Sequence, residues 1–208
     1  MKKRIIRVLV ILVIGIAVIA ITGVGLKNPD GSNYNKLEPV AAGNFGGAYT
    51  LTNHMGESVT DQTYSGQYQL IYFGFTYCPA ICPTELSKMT TVLNELGAEA
   101  DQIQPLFISV DPERDTVDVM KNYVSLFHPR FIGLTGTVEQ IEAIKKAYKV
   151  YSAKVDDPQM TEYTVDHSSY IYFMDPEGQL LGLYKITDTA EKGTENIRAW
   201  LKKNSTDS

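Results

Sequence analysis

Past residue 45 the chain switches repeatedly between the two-residue period of strands and the 3.6-residue period of helices. Residues 47–52 and the stretch around 58–60 flank Asn53-His-Met-Gly56, a hairpin signal. Residues 67–75 form a β-rich run that ends at a loop holding two cysteines. Pro83 suits the first turn of a helix, and beyond it Leu86, Met89, Leu93 and Leu96 recur at helical spacing. Residues 103–110 predict a buried strand stopped by Asp111-Pro112. Asp115 or Thr116 then caps a helix running to about His128, where Pro129 ends it. A short strand at 131–134 precedes a helix over 138–148, with Ile141, Ile144 and Tyr148 on one face. A long polar loop follows, at about 154–162. Strands at 169–174 and 180–186 are joined by Asp175-Pro-Glu-Gly178, where Pro sets φ and Gly permits φ > 0. Residues 191–203 close as a helix with Ile197, Trp200 and Leu201 turned inward.

The resulting order is hairpin, β, α, β, α, β, α, β, β, α. Crossover helices imply parallel neighbours, and the final hairpin adds an antiparallel edge. The predicted fold is α/β: a thioredoxin-like mixed sheet flanked by helices, with an N-terminal hairpin and one extra βα element in the middle.

The N-terminus is of another kind. Met1-Lys-Lys-Arg-Ile-Ile-Arg7 precedes nineteen uncharged residues, 8–26, close to the ~20 that a helix needs to cross the hydrocarbon core. A secretory signal has a shorter apolar region of ~7–15 residues and a small-x-small cleavage site. Thr22-Gly-Val-Gly25 matches that site poorly, so an uncleaved anchor is expected. The positive flank stays cytoplasmic, which places the rest on the extracytoplasmic side. The head is too short for an organellar transit sequence, and no cysteine near it offers a lipid anchor. The expectation is a single-pass protein of a bacterial inner or plasma membrane. Residues 1–7 would be a cytoplasmic basic head, 8–26 a transmembrane anchor, 27–44 a flexible tether rich in Asn, Gly, Pro and Ser, and 45–204 the folded domain.

Without its four N-terminal positive charges the chain carries a formal −9 rather than −5, which repels nucleic acid and leaves neutral or cationic partners open.

The two cysteines are the only ones, in Phe73-Gly-Phe-Thr-Tyr-Cys78-Pro-Ala-Ile-Cys82-Pro83. Two thiols at a strand-to-helix junction can bind a soft metal, exchange electrons as a dithiol, or staple the loop. A bridge closing so small a loop constrains the unfolded chain little, so stability alone is a weak reason for the pair. If the segment from Cys78 is helical, residues four apart share a face, with Cβ atoms ~5–6 Å apart. That spacing suits ligation of one ion or reversible oxidation. A helix N-terminus lowers thiol pKa, and Pro79 stiffens the turn.

A closed metal site needs a further donor, and there are three histidines. His54 lies in the hairpin turn and reads as a surface residue. His128 ends a helix, where a cation complements the dipole. His167, in Thr164-Val-Asp-His167-Ser-Ser, follows the long polar loop, which in a thioredoxin-like sheet returns to the cysteine end. A lone histidine before a strand is often structural; its placement opposite two cysteines raises the ligand reading above that. Two sulfurs and one nitrogen suit Cu(I) and can hold Cu(II). Zinc would want a fourth ligand, with Asp166 the only obvious carboxylate. An iron–sulfur cluster would need four cysteines. Copper is favoured.

Four motifs in order carry a resemblance. Phe73-Gly-Phe-Thr-Tyr-Cys78-Pro-x-x-Cys82-Pro83-Thr84, Ser109-Val-Asp-Pro-Glu-Arg-Asp-Thr116, Phe131-Ile-Gly-Leu-Thr-Gly136, and Asp166-His-Ser-Ser with Asp175-Pro-Glu-Gly178 resemble the Sco/SenC family over roughly 45–203. These are membrane-anchored, thioredoxin-like copper proteins of cytochrome c oxidase assembly. The resemblance implies copper held by Cys78, Cys82 and His167. It also implies delivery of that copper to the CuA centre of an oxidase subunit, or reduction of that centre's cysteines. Many members carry His where Tyr77 stands and an acidic residue where Ala80 stands; neither is a core ligand, so the departures bear on local charge and docking.

Three other features carry two readings each. Asp111-Pro-Glu-Arg-Asp-Thr116 fits a strand stop, a helix cap and a surface ion pair better than a catalytic carboxylate. Met160 offers a weak thioether or is an ordinary loop residue. Asp166 either orients His167 through its free ring nitrogen or takes part in a turn.

The leading expectation is a copper metallochaperone, not an enzyme. Its partners would be the oxidase subunit with the CuA site, and beyond it other copper chaperones or thiol–disulfide reductants. The alternative is a thiol–disulfide reductase with Cys78 and Cys82 as the redox pair, although thioredoxins use Cys-x-x-Cys, one residue shorter. A peroxidase-like or purely structural module is the third class.

Overall fold

Seven strands meet in one mixed sheet in the computed structural model, which describes residues 45–156, 162–185 and 188–206. The expected basic head, anchor and tether lie outside the described residues, as do Met160 and Ile186.

β1 (Thr50–Asn53) and β2 (Ser58–Thr60) form the expected hairpin. Its turn is built by Asn53, whose side-chain oxygen accepts from the Met55 and Glu57 N–H groups, and by Gly56 at φ 85°. β3 (Tyr68–Gly74) is buried along its whole length and leads through the cysteine turn into α1 (Ile81–Leu96). β4 (Ile103–Ser109), α2 (Val117–Val124), β5 (Ile132–Thr135) and α3 (Val138–Tyr148) follow. Next come β6 (Ser152–Val155), β7 (Thr164–His167), β8 (Tyr170–Met174), β9 (Leu180–Lys185) and α4 (Ala190–Thr206).

The sheet order is β2-β1-β5-β4-β3-β8-β9. β3, β4 and β5 are parallel neighbours, as helical crossovers require, and β8, β9 and the first hairpin complete antiparallel edges. The fold is mixed α/β and thioredoxin-like.

Core helices behave as their periodicity predicts. Leu86, Met89, Leu93 and Leu96 of α1 are buried, as are Ile141, Ile144 and Tyr148 of α3. α3 starts at a capping box in which Thr137 and Gln140 satisfy each other's backbone N–H groups. In α4, Ile197 and Leu201 are buried, while Trp200 is only half-buried beneath the Lys203 ammonium.

Three expectations need correction. α2 stops at Val124 rather than His128: Leu126 and Phe127 bond three residues back, to Tyr123 and Val124, tightening the last turn out of α geometry. Thr116 is its cap; Asp115 points inward instead. The stretch expected as loop from about 154 begins inside β6, which pairs with β7 in a ribbon that joins no other strand among the described residues and ends on His167.

Candidate metal centre

Cys78, Cys82 and His167 are brought together, each offering a ligand atom within 4.8 Å of the others. Both thiols are free.

Helix α1 begins only at Ile81, so Cys78 is not on it. The expected helical face is replaced by a cap-like contact: the Cys82 N–H, one of the unpaired donors of the first turn, points at Cys78 Sγ at 3.4 Å. The Cys78 N–H in turn bonds the Phe75 carbonyl at 3.3 Å, folding the turn back on itself. Cys82 is wholly buried, and Cys78 is half-buried. Gly74 makes room for this. A Cβ there would stand 2.8 Å from Cys82 Sγ and 2.9 Å from Phe107 Cε2, so a side chain would drive the sulfur off the strand.

The two thiols differ electrically. A hydrogen bond from Cys82 is the largest cause that lowers the Cys78 pKa; burial opposes it, and His167 and the Cys82 and Ala80 N–H groups reinforce it. Cys82 is pushed up, by that same shared proton and then by burial and the Cys78 charge. One proton between two sulfurs, held mainly on the inner one, leaves the outer one as thiolate.

His167 Nε2 lies 3.4 Å from Cys82 Sγ. Its Nδ1 lies 3.1 Å from the Ser168 carbonyl oxygen, which can only accept. Nδ1 therefore carries a ring proton, and Nε2 is turned to the sulfurs, where it donates to a thiolate when protonated and ligates a metal when not. Tyr72 and Phe75 stand edge-on to the ring at 6.1 and 5.7 Å between centroids, and the Tyr72 hydroxyl is 3.9 Å from Cys82 Sγ. The Nδ1 contact with the Ser168 carbonyl leaves no opening for Asp166, which is exposed on the opposite face of β7 and does not orient the imidazole.

The other histidines are elsewhere. His54 Nδ1 accepts from the Gly133 N–H at 3.1 Å, pinning the first hairpin to β5. His128 Nδ1 accepts from the Arg130 N–H at 3.3 Å, and burial followed by the Arg130 charge lowers its pKa. It is a neutral acceptor, not the expected cation on a helix dipole.

Within Asp111-Pro-Glu-Arg-Asp-Thr116 the expected surface ion pair is made by Glu113, with Lys154 at 2.6 Å. Asp111 and Asp115 are instead inside, at 1% and 0% exposed. Asp115 accepts from the Thr76 N–H, from the Thr76 hydroxyl at 2.6 Å and from the Ser109 hydroxyl at 2.6 Å, tying β4 to the first residues of the cysteine turn. Composition alone could not place these charges; their partners are the only signal, and those lie far off in sequence.

A family model described as SCO1/SenC matches residues 38–202. The mitochondrial protein SCO2 of Saccharomyces cerevisiae is 45% identical over 156 residues, 74% of this chain and 52% of that one. The mitochondrial SCO1 homolog of Homo sapiens is 44% identical over 142 residues, 67% and 47% respectively. The chain thus spans about half the length of these curated relatives. A solved structure of Bradyrhizobium japonicum ScoI with copper bound matches with a TM-score of 0.69 at 40% identity, over 74% of this chain and 98% of that one.

The expected bacterial membrane location is overturned by the yeast and human relatives, both mitochondrial proteins. A basic flank reports which side of a membrane a chain faces, not which membrane it is. Among the described residues no helix is long and apolar enough to cross a bilayer.

Proposed function

The chain belongs to the SCO1/SenC family, and we propose that it is a copper carrier that delivers its ion to the CuA centre of a cytochrome c oxidase subunit, tethered through the apolar run at 8–26. Cys78 and Cys82 hold the ion as thiolates and His167 through Nε2. The observation that carries this is the convergence of two sulfurs and an imidazole nitrogen, all within 4.8 Å. Two soft donors and one borderline donor, with no fourth protein ligand among the described residues, select copper over zinc. The oxidase as recipient follows from the family's role in its assembly.

Copper is cargo here, and the burial of the donors sets the order of exchange. Cys78 is the reachable ligand, so an incoming thiolate displaces it first, while wholly buried Cys82 lets go last. Bonds are made and broken one at a time, and the ion is never free.

The electrical asymmetry of the thiols supports a second reading. Cys78 thiolate attacks a disulfide on the recipient, releasing one of its sulfurs as thiolate; that thiolate takes the Cys82 proton, and Cys82 attacks the Cys78 sulfur of the mixed disulfide. The second recipient thiolate leaves, two electrons have moved, and Cys78–Cys82 is oxidised. Reduction followed by loading would use both activities on one target.

A copper titration of the purified, reduced full chain separates these. One copper per chain is expected, with sulfur-to-metal charge transfer in the Cu(II) form. His167→Ala should weaken binding by at least ~10–100-fold, the range already seen for groups that merely support a ligand. Unchanged affinity and spectrum in His167→Ala would remove the imidazole from the site. Recipient-disulfide reduction that survives His167→Ala while copper binding does not would assign the two activities to different parts of the cluster.

A further inference from the structure

The imidazole and the thiols belong to different pieces of architecture. The cysteine turn hangs from β3, which pairs on both sides inside the seven-stranded sheet. His167 ends β7, whose only pairing among the described residues is the four-residue register with β6. A lone two-stranded ribbon is marginal in water, so contacts from outside it must set where the imidazole stands.

The polar contacts at the foot of β7 centre on one side chain. The Arg114 guanidinium donates from Nε to Asp111 Oδ2 at 2.6 Å and from Nη1 to the Tyr163 carbonyl, at the foot of β7, at 2.8 Å. Its centre lies 3.7 Å from the centroid of the Tyr163 ring and 4.8 Å from that of Tyr77, the residue next to Cys78. The Tyr163 hydroxyl closes the circuit by donating to the other Asp111 oxygen at 2.8 Å. Arg114 Nη2 is buried without a hydrogen-bond partner among the described residues. The placement is therefore set by the two rings and the bonds made, not by maximal pairing. Only a flat fork can bond a carboxylate and a carbonyl while lying against two aromatic rings; an ammonium cannot.

We propose that Arg114 is the positioning residue of the site: it couples the ribbon carrying His167 to the turn carrying Cys78, so the imidazole meets the thiols only while the guanidinium is seated against Tyr163 and Tyr77. It touches neither sulfur nor ring nitrogen and acts through the elements that carry them. The copper arm of its test rests on the carrier reading above; the exchange arm does not.

Two replacements of the full chain serve. Arg114→Lys keeps the charge but neither fork nor flat face. Arg114→Met combined with Asp111→Asn removes the pair together, so that no buried carboxylate is stranded. In metal-free protein, amide hydrogen exchange at 152–155 and 164–167 should quicken by about tenfold or more, the factor that losing one hydrogen bond to a charged group implies, while amides of β3 and β4 stay as they were. Copper affinity should fall to that of His167→Ala, and adding either replacement to His167→Ala should cost nothing further. Unchanged ribbon exchange, exchange that quickens equally in β3 and β4, or copper losses that add to those of His167→Ala would each overturn the coupling. If His167→Ala leaves copper binding intact, the carrier reading fails, and the ribbon's exchange alone decides the role of Arg114.

Discussion

The two halves of the candidate metal centre are held by unlike means. The thiol half is fixed by the central sheet: β3 is buried at every position, Gly74 lets Cys82 press against the strand, and Asp115 fastens Thr76 to β4. The imidazole half is docked. In β6 no residue is fully buried, and in β7 only Val165 is. Local opening costs least where few apolar groups are covered. A carrier has use for this division, because thiols held in the sheet keep their geometry while a docked imidazole can be withdrawn as the ion leaves.

The largest effect should come from the fixed half. Asp115→Ala strands the Thr76 N–H and the Thr76 and Ser109 hydroxyls, each at ~1–3 kcal/mol when left unpaired. Rotation of the hydroxyls recovers part of this, so a loss of about 3 kcal/mol in global stability is expected, read from denaturant midpoints at constant slope. Burial, which raises the Asp115 pKa, means that some desolvation cost is relieved at the same time. A loss below ~1 kcal/mol, the net worth of a single ordinary hydrogen bond, would show that the turn does not depend on this carboxylate and that the two halves are more alike than their burial suggests.

This contrast also governs what could be read from sequence. The helices were legible because they repeat: apolar positions of α1 and α3 recur at helical spacing. The cysteine pair and His167 were legible as residue types with a shared chemistry. The docked half was not. β6 reads Ser-Ala-Lys-Val and β7 Thr-Val-Asp-His, four residues each with little apolar content, below what alternation can separate from loop. Asp111 and Asp115 looked like surface charges because burial of a carboxylate is decided by its partners, and Tyr163 is 52 residues from Asp111. Whether Cys78 sits on a helix stays open in the sequence, because a spacing of four is ambiguous between a helical turn and a loop that folds onto the next helix's first N–H groups.

A medium effect tests whether the thiols inside the fixed half are as unequal as their surroundings. The Cys78 pKa is lowered, chiefly by the hydrogen bond from Cys82, and that of Cys82 is raised. In metal-free, reduced protein, alkylation of Cys78 should hold its rate as pH falls well below the ordinary thiol range. Cys82, protonated and covered, should lag by more than about tenfold at every pH, the ratio of a 1.4 kcal/mol difference. The sign follows: a lowered folded pKa means that the stability linked to this thiolate is fully present above the unfolded thiol value and is lost as pH falls through the folded one. His167→Ala, which removes one of the lowering contacts, should move the Cys78 profile toward higher pH. Site-resolved mass spectrometry measures both rates, and equal rates with one common midpoint would mean that no proton is shared unevenly.

The smallest effect lies on the docked half. Lys154 of β6 bonds Glu113 at 2.6 Å, and both side chains are about half exposed, at 50% and 55%. Exposed pairs of this kind contribute ~0–1 kcal/mol and are screened by salt. Lys154 also lies 4.7 Å from the Tyr163 ring centroid, so it adds to the seat that Arg114 makes. Lys154→Ala should leave the denaturation midpoint within ~0.5 kcal/mol, as surface replacements do, yet quicken amide exchange in the ribbon at low salt and lose that difference near 1 M, where the Debye length is ~3 Å. Salt-independent quickening would assign the contribution of Lys154 to packing against Tyr163. A change in global midpoint as large as that of Asp115→Ala would mean that the ribbon is integral to the domain's cooperative core, and the division between a fixed and a docked half would no longer hold.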